Sequence, residues 1–154
     1  MENTINELSF EERYYYWLMV SLGFVNELET YIDGCINSDN KVSSLIFDLY
    51  NVIRDRNELQ RTLYLSFINS EDSINKSHVK NRIINFFQDQ LIHRKILPND
   101  IAMYLGAIAG KENEWHDFDM LSEEFVMVSE GIISLESAQK TLTEYLTKNS
   151  TAIV

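Results

Sequence analysis

Apolar residues recur along nearly all of this 154-residue chain at the three- and four-residue spacing of an α-helix. Leu28, Tyr31, Ile32 and Cys35 form one such stripe, and Val42, Leu45, Ile46, Leu49 and Ile53 form another. Leu59, Leu63 and Phe67 follow, then Val79, Ile83, Ile84, Phe87 and Leu91. The C-terminal third repeats the pattern with Ile101, Leu105 and Ile108, with Phe118, Leu121, Phe125 and Val128, and with Leu135, Ala138, Leu142 and Tyr145. Strand-like alternation is nowhere sustained, and one proline and five glycines leave few interruptions. The pattern predicts an all-α fold: a single compact bundle of about eight helices arranged as helical hairpins, with 1–154 as one domain. A chain this long buries roughly 70% of the surface its unfolded form exposes.

Helix ends are written in the same local chemistry. Ser9 with Glu12, Asn26 with Glu29, and Asp55 with Glu58 have capping-box spacing, in which the first side chain takes an orphan N–H and the glutamate reaches back. Pro98 suits a first helical turn, where its missing N–H costs nothing. SLGFVNE (21–27) and SEGIISLE (129–136) each close a helix at glycine, place two apolar residues and then begin a new helix. The expected geometry is a left-handed C-cap. RKILPND (94–100) keeps the apolar pair but has Lys95 where the glycine stands. The first helix, near 10–22, is apolar on almost every side and is expected to be central and buried. NSDNK (37–41) and NSEDSINKS (69–77) are the expected loops.

Charge narrows the partners. The net charge is −11 and the pI near 4.6, the opposite of what phosphate-backbone binding needs, so no direct nucleic-acid contact is expected. The surplus is concentrated in residues 1–40 and 98–154, whereas 74–97 is a basic island with Lys76, Lys80, Arg82, Arg94 and Lys95. That helix is read as bridging acidic neighbours. MENTINELSF (1–10) has no basic region before an apolar stretch, so no secretory signal is expected. The longest apolar run, YYYWLMVSLGFV (14–25), is too short to span a bilayer. A soluble, cytoplasmic protein without membrane association is expected.

Catalytic motifs are lacking. The three histidines, His78, His93 and His116, stand beside no nucleophile, and there is no glycine-rich phosphate loop, GxSxG or cysteine pair. Cys35 lies on an apolar stripe and is read as a buried, inert thiol. Glu112, His116, Asp119 and Glu123 follow an i, i+4, i+7, i+11 spacing, but the matching Glu-x-x-His of a bundle metal site occurs nowhere. Neither an enzyme nor a metal or other cofactor is expected.

The informative stretch is KENEWHDFDMLSEEF (111–125), with six carboxylates around Trp115, Phe118 and Met120. Advancing about 100° per residue puts Phe118 on the core side with Leu121, Phe125 and Val128. Trp115 falls at the border, and Met120 and Met127 fall opposite the core among acids. An aromatic anchor and adaptable methionines ringed by charge suit a partner-binding surface. Packing of both methionines on a second helix is the competing reading, and a border tryptophan serves a homodimer equally well.

In size, negative balance, corners such as SLGFV and SEGII, and lack of catalytic motifs, the chain resembles the small acidic helical immunity proteins of bacterial toxin–immunity systems, including those of contact-dependent growth inhibition. The resemblance implies a cytoplasmic protein that binds one cognate toxin, often a nuclease, and blocks its cationic cleft by acidic occlusion. On that reading Trp115, Met120 and Met127 are the anchors, and Glu112, Asp119, Glu123 and Glu124 the charged contacts. The alternative is a helical adaptor or regulator with no toxin partner.

Overall fold

The computed structural model describes residues 5–151. Among them are eight α-helices: α1 (Phe10–Ser21), α2 (Asn26–Ile36), α3 (Ser44–Val52), α4 (Arg56–Phe67), α5 (Lys76–Ile92), α6 (Pro98–Lys111), α7 (His116–Ser129) and α8 (Leu135–Asn149). The all-α class follows as expected from the periodicity. The expected loops carry more structure than their polarity implies. Ile68–Ser73 is a 3₁₀ helix, and Lys41–Val42 pairs in parallel with Ile5–Asn6. A ladder of two residues per strand is too short to leave an alternation in sequence. The chain divides into two compact units, with the division inside α5 between Val79 and Lys80.

In the first unit, α1 packs on α4, and α3 packs on both α2 and α4. Tyr14, Tyr15, Tyr16, Leu18, Met19 and Val20 of α1 are all buried. Phe67 of α4 meets Tyr14 edge-on at 5.4 Å and Trp17 at 5.5 Å. Cys35 is buried, as its stripe predicts. α1 has no cation in its last turn, yet its terminal carbonyls are satisfied. The Arg56 guanidinium, from the start of α4, donates to the carbonyl oxygens of Val20 (3.1 Å) and Ser21. Charge-assisted bonds at a helix C-terminus also oppose its dipole. Arg56→Ala is therefore expected to lower stability by about 1–2 kcal/mol, and Arg56→Lys by less, measured by urea unfolding. An unchanged midpoint for Arg56→Ala would remove this cap from the account.

Three helix ends share one hydrogen-bond pattern. At Gly23 (φ 95°) and Gly131 (φ 75°) the chain turns left-handed. The Gly23 N–H donates to Val20 O and the Phe24 N–H to Met19 O, and Gly131 and Ile132 bond Val128 O and Met127 O in the same way. These are Schellman caps. The third differs from the sequence expectation by one residue. Arg94, not Lys95, takes positive φ (53°), with its N–H on Leu91 O and the Lys95 N–H on Gln90 O. Arg94 lies three residues before the next N-cap, Leu97, as Gly131 does before Ser134, whereas Gly23 lies two before Val25. Left-handed backbone costs a non-glycine residue roughly 1–2 kcal/mol, less the entropy that glycine itself loses on folding. Arg94→Gly is expected to raise stability by about 0.5–1 kcal/mol, visible as a higher urea midpoint; a lower one would contradict the strain.

The expected caps divide. Ser9 and Glu12 form a reciprocal capping box. Asp55 accepts from the Glu58 N–H at 3.2 Å. Asn26 is not a cap: it is the first residue of α2, and Val25 holds the cap position without a side-chain bond. Pro98 opens α6 as expected. In the second unit α6 packs most extensively on α7, and α8 packs on both. Ile83, Phe87, Leu105, Ile108, Phe118 and Leu142 are among its buried side chains.

Candidate partner-binding surface

Residues 112–115 decide what reaches this surface. α6 ends where Glu112 turns to extended backbone (φ −120°, ψ 94°), and Trp115 is the N-cap of α7. A turn joins them, with the Trp115 N–H on Glu112 O (3.2 Å) and the Phe118 N–H on Trp115 O (3.2 Å). Helical phase therefore does not run continuously from 112 to 123, and two expectations that assumed it fail. Trp115 is not a border anchor: it is only 5% exposed, with its ring 5.5 Å from Phe118. Glu112 is not an outward contact: it too is 5% exposed. Both leave the candidate surface, and Trp115 leaves the homodimer reading as well. The break also dissolves the i, i+4, i+7, i+11 stripe. Among the described residues no group of three or more His, Cys, Asp or Glu is placed to hold a metal ion.

The remaining predicted residues stay together on α7. Met120 is 65% exposed. Asp119 and Glu123 are exposed, and Glu124 and Met127 are half-buried. Beside them lies a groove of about 300 Å³. Met120, Leu121 and Met127 supply apolar lining from α7, while Thr141 and Tyr145 contribute from α8. Carboxylates of Asp117, Glu123 and Glu124 complete it. The Oε2 atom of Glu124 is buried and has no hydrogen-bond partner among the described residues.

Asp117 organises one part of this groove. Its two oxygens accept from Lys80 Nζ at 2.9 and 2.7 Å, and it also accepts from the Tyr145 hydroxyl. Lys80 Nζ lies 5.4 Å from the centre of the Phe118 ring, adding a cation–π contact. Burial by itself raises the Asp117 carboxyl, but the Lys80 and Tyr145 hydrogen bonds and the Lys80 charge outweigh it, holding the group below its usual range. The first turn of α7, where Asp117 sits, also favours an anion. Tyr145 shifts upward because it is buried and because it bonds the Asp117 carboxylate. Asp117 is thus committed to internal partners, whereas Asp119 and Glu123 face solvent.

The Lys80–Asp117–Tyr145 set had no signal in the sequence. Lys80 reads there as one of several basic residues, Asp117 as one of six clustered acids, and Tyr145 as the end of an apolar stripe. The pairings span 37 and 28 positions, and only helix packing brings them together. The basic island does bridge acids here and at Lys76–Glu71 (3.4 Å), as its charge predicts.

No protein-family model, curated protein or solved structure matches this chain. Among the described residues no helix is long and apolar enough to cross a membrane.

Proposed function

We propose that this chain is an immunity protein: an acidic helical module that binds and neutralises a cognate bacterial toxin, with the α7–α8 face as its contact surface. The observation that carries the reading is one patch combining exposed Met120 and half-buried Met127 with Asp119, Glu123 and Glu124 around an apolar groove. The acids, on a chain of net charge −11, steer a basic partner and speed encounter, and the methionines and groove supply the desolvated contacts that hold it. A nuclease is the toxin class that fits, because its cleft is cationic to bind phosphates.

The test is co-expression with the reading frame immediately upstream. The upstream protein alone is expected to arrest growth, and this protein is expected to restore it. Met120→Asp, on an exposed side chain that folding does not need, is expected to weaken the complex by about 100-fold, the scale of an interface anchor, and to abolish protection. A harmless upstream protein, or full protection by Met120→Asp together with Glu123→Lys, would refute the assignment. Recovery of a different host protein by the wild-type chain alone would favour an adaptor.

A further inference from the structure

The groove beside α7 combines an apolar lining with carboxylates. Its lining is mostly apolar, from Met120, Leu121, Met127 and Tyr145, yet Glu124 also lines it, and among the described residues its buried Oε2 has no hydrogen-bond partner. A buried carboxylate oxygen left unpaired is unfavourable, and rotation of the Glu124 carboxylate toward a donor in the groove recovers that cost. Asp117 is already paired with Lys80 and hydrogen-bonded by Tyr145, whereas among the described residues Glu123 and Glu124 line the groove with no ion-pair partner. About 300 Å³ is at the small end of ligand pockets, so it suits one long side chain better than a packed protein element.

We infer that this groove receives a single arginine side chain from the partner protein, its methylene stem against Met120 and Met127 and its guanidinium on Glu124. Resting on the partner-binding reading above, this names the chemistry that reading leaves open. Arginine fits better than lysine for three reasons. Its guanidinium is more weakly hydrated, it presents several donors to a carboxylate at once, and it lies flat against aromatic and thioether surfaces. Both its apolar stem and its charged head find a counterpart here. Glu123, exposed at the same groove, adds attraction at the mouth.

The probe is N-acetyl-arginine amide, titrated into the whole protein while the methionine methyl signals are followed by NMR. Saturable shifts at Met120 and Met127 are expected in the millimolar range, with Met19 and Met103 unmoved. N-acetyl-citrulline amide, nearly the same shape without the charge, should produce no saturable shift, and N-acetyl-lysine amide should bind several-fold more weakly. Glu124→Gln is expected to weaken the arginine response at least fivefold, and Glu123→Gln to weaken it less. Equal responses to arginine and citrulline, equal responses to arginine and lysine, or an unaltered response in a folded Glu124→Gln protein would each overturn the assignment. The titration needs no toxin, so its outcome and that of the co-expression assay are read separately.

Discussion

Gly106→Ala is expected to lower stability by about 2 kcal/mol, and to do so where glycine-to-alanine exchange in a helix ordinarily helps. A Cβ at Gly106 would lie 2.5 Å from Ser122 Oγ and 2.7 Å from Ser122 Cβ. The hydroxyl can rotate away, but Cβ is fixed to the α7 backbone, so α6 and α7 must separate. Overpacking of this kind costs roughly 1–3 kcal/mol, against which alanine's helix propensity returns about 1 kcal/mol. The site is at the most extensive helix contact of its unit, which argues for the upper part of the range. Gly34, in α2, is the internal control: nothing lies within 4 Å of its added Cβ, and Gly34→Ala is expected to stabilise by about 1 kcal/mol. Urea unfolding of both variants gives the two signs. Adding Ser122→Gly to Gly106→Ala should recover most of the strain, with a coupling of about 2 kcal/mol. A Gly106→Ala protein as stable as the wild type would mean that α6 and α7 do not approach this closely.

Asp117→Asn is expected to cost about 2 kcal/mol near neutral pH, in the range for hydrogen bonds to charged groups. Asparagine offers one acceptor where two oxygens now hold the Lys80 ammonium, and its amide hydrogens repel that ammonium. The Lys80 and Asp117 side chains are 25% and 37% exposed, so solvent screening keeps the cost below that of a fully buried pair. The pH dependence is more diagnostic than the size. Because the folded-state Asp117 titrates below its unfolded range, the unfolded chain binds the proton first as pH falls. The stabilisation is therefore complete above the ordinary aspartate range near pH 4 and is lost as pH drops through the folded value. Wild type and Asp117→Asn should run parallel from pH 5 to 8 and converge below about pH 4. Tyr145 acts at the other end. Its raised folded value means that its contribution is intact below about pH 10 and declines above it, as the unfolded tyrosine ionises. Tyr145→Phe should remove that alkaline decline. Acid curves of wild type and Asp117→Asn that stay parallel to pH 2 would show that the carboxylate is not the group held by Lys80.

These two sites also mark how far the linear chain could be read. Helical periodicity identified most of the buried stripes, because repeating contacts three and four residues apart is a local property; Leu135 is exposed and Val42 lies in the short strand before α3. The Ser9–Glu12 box and the glycine turns at 23 and 131 were legible for the same reason, since every atom involved lies within one or two turns. The third corner was misplaced by one residue because nothing local distinguishes Arg94 from Lys95 as the left-handed position.

On the candidate surface, helical phase was reliable only while the helix was unbroken. Within α7 it gave the core side to Phe118 and Leu121 and left Met120 in solvent. Carried back across residues 112–115, it assigned Glu112 and Trp115 to an exterior they do not occupy. What the amino-acid order determined alone was therefore the helical class, much of each buried stripe and the caps at Ser9, Asp55, Gly23 and Gly131, all set by interactions between near neighbours. Tertiary packing decided the rest: Arg56 closing a helix that lacks its own cation, α7 approaching α6 over a glycine, and Lys80, Asp117 and Tyr145 meeting beside the groove. Those arrangements depend on which helices become neighbours in space, and residues dozens of positions apart carry no shared period by which that meeting could be foreseen.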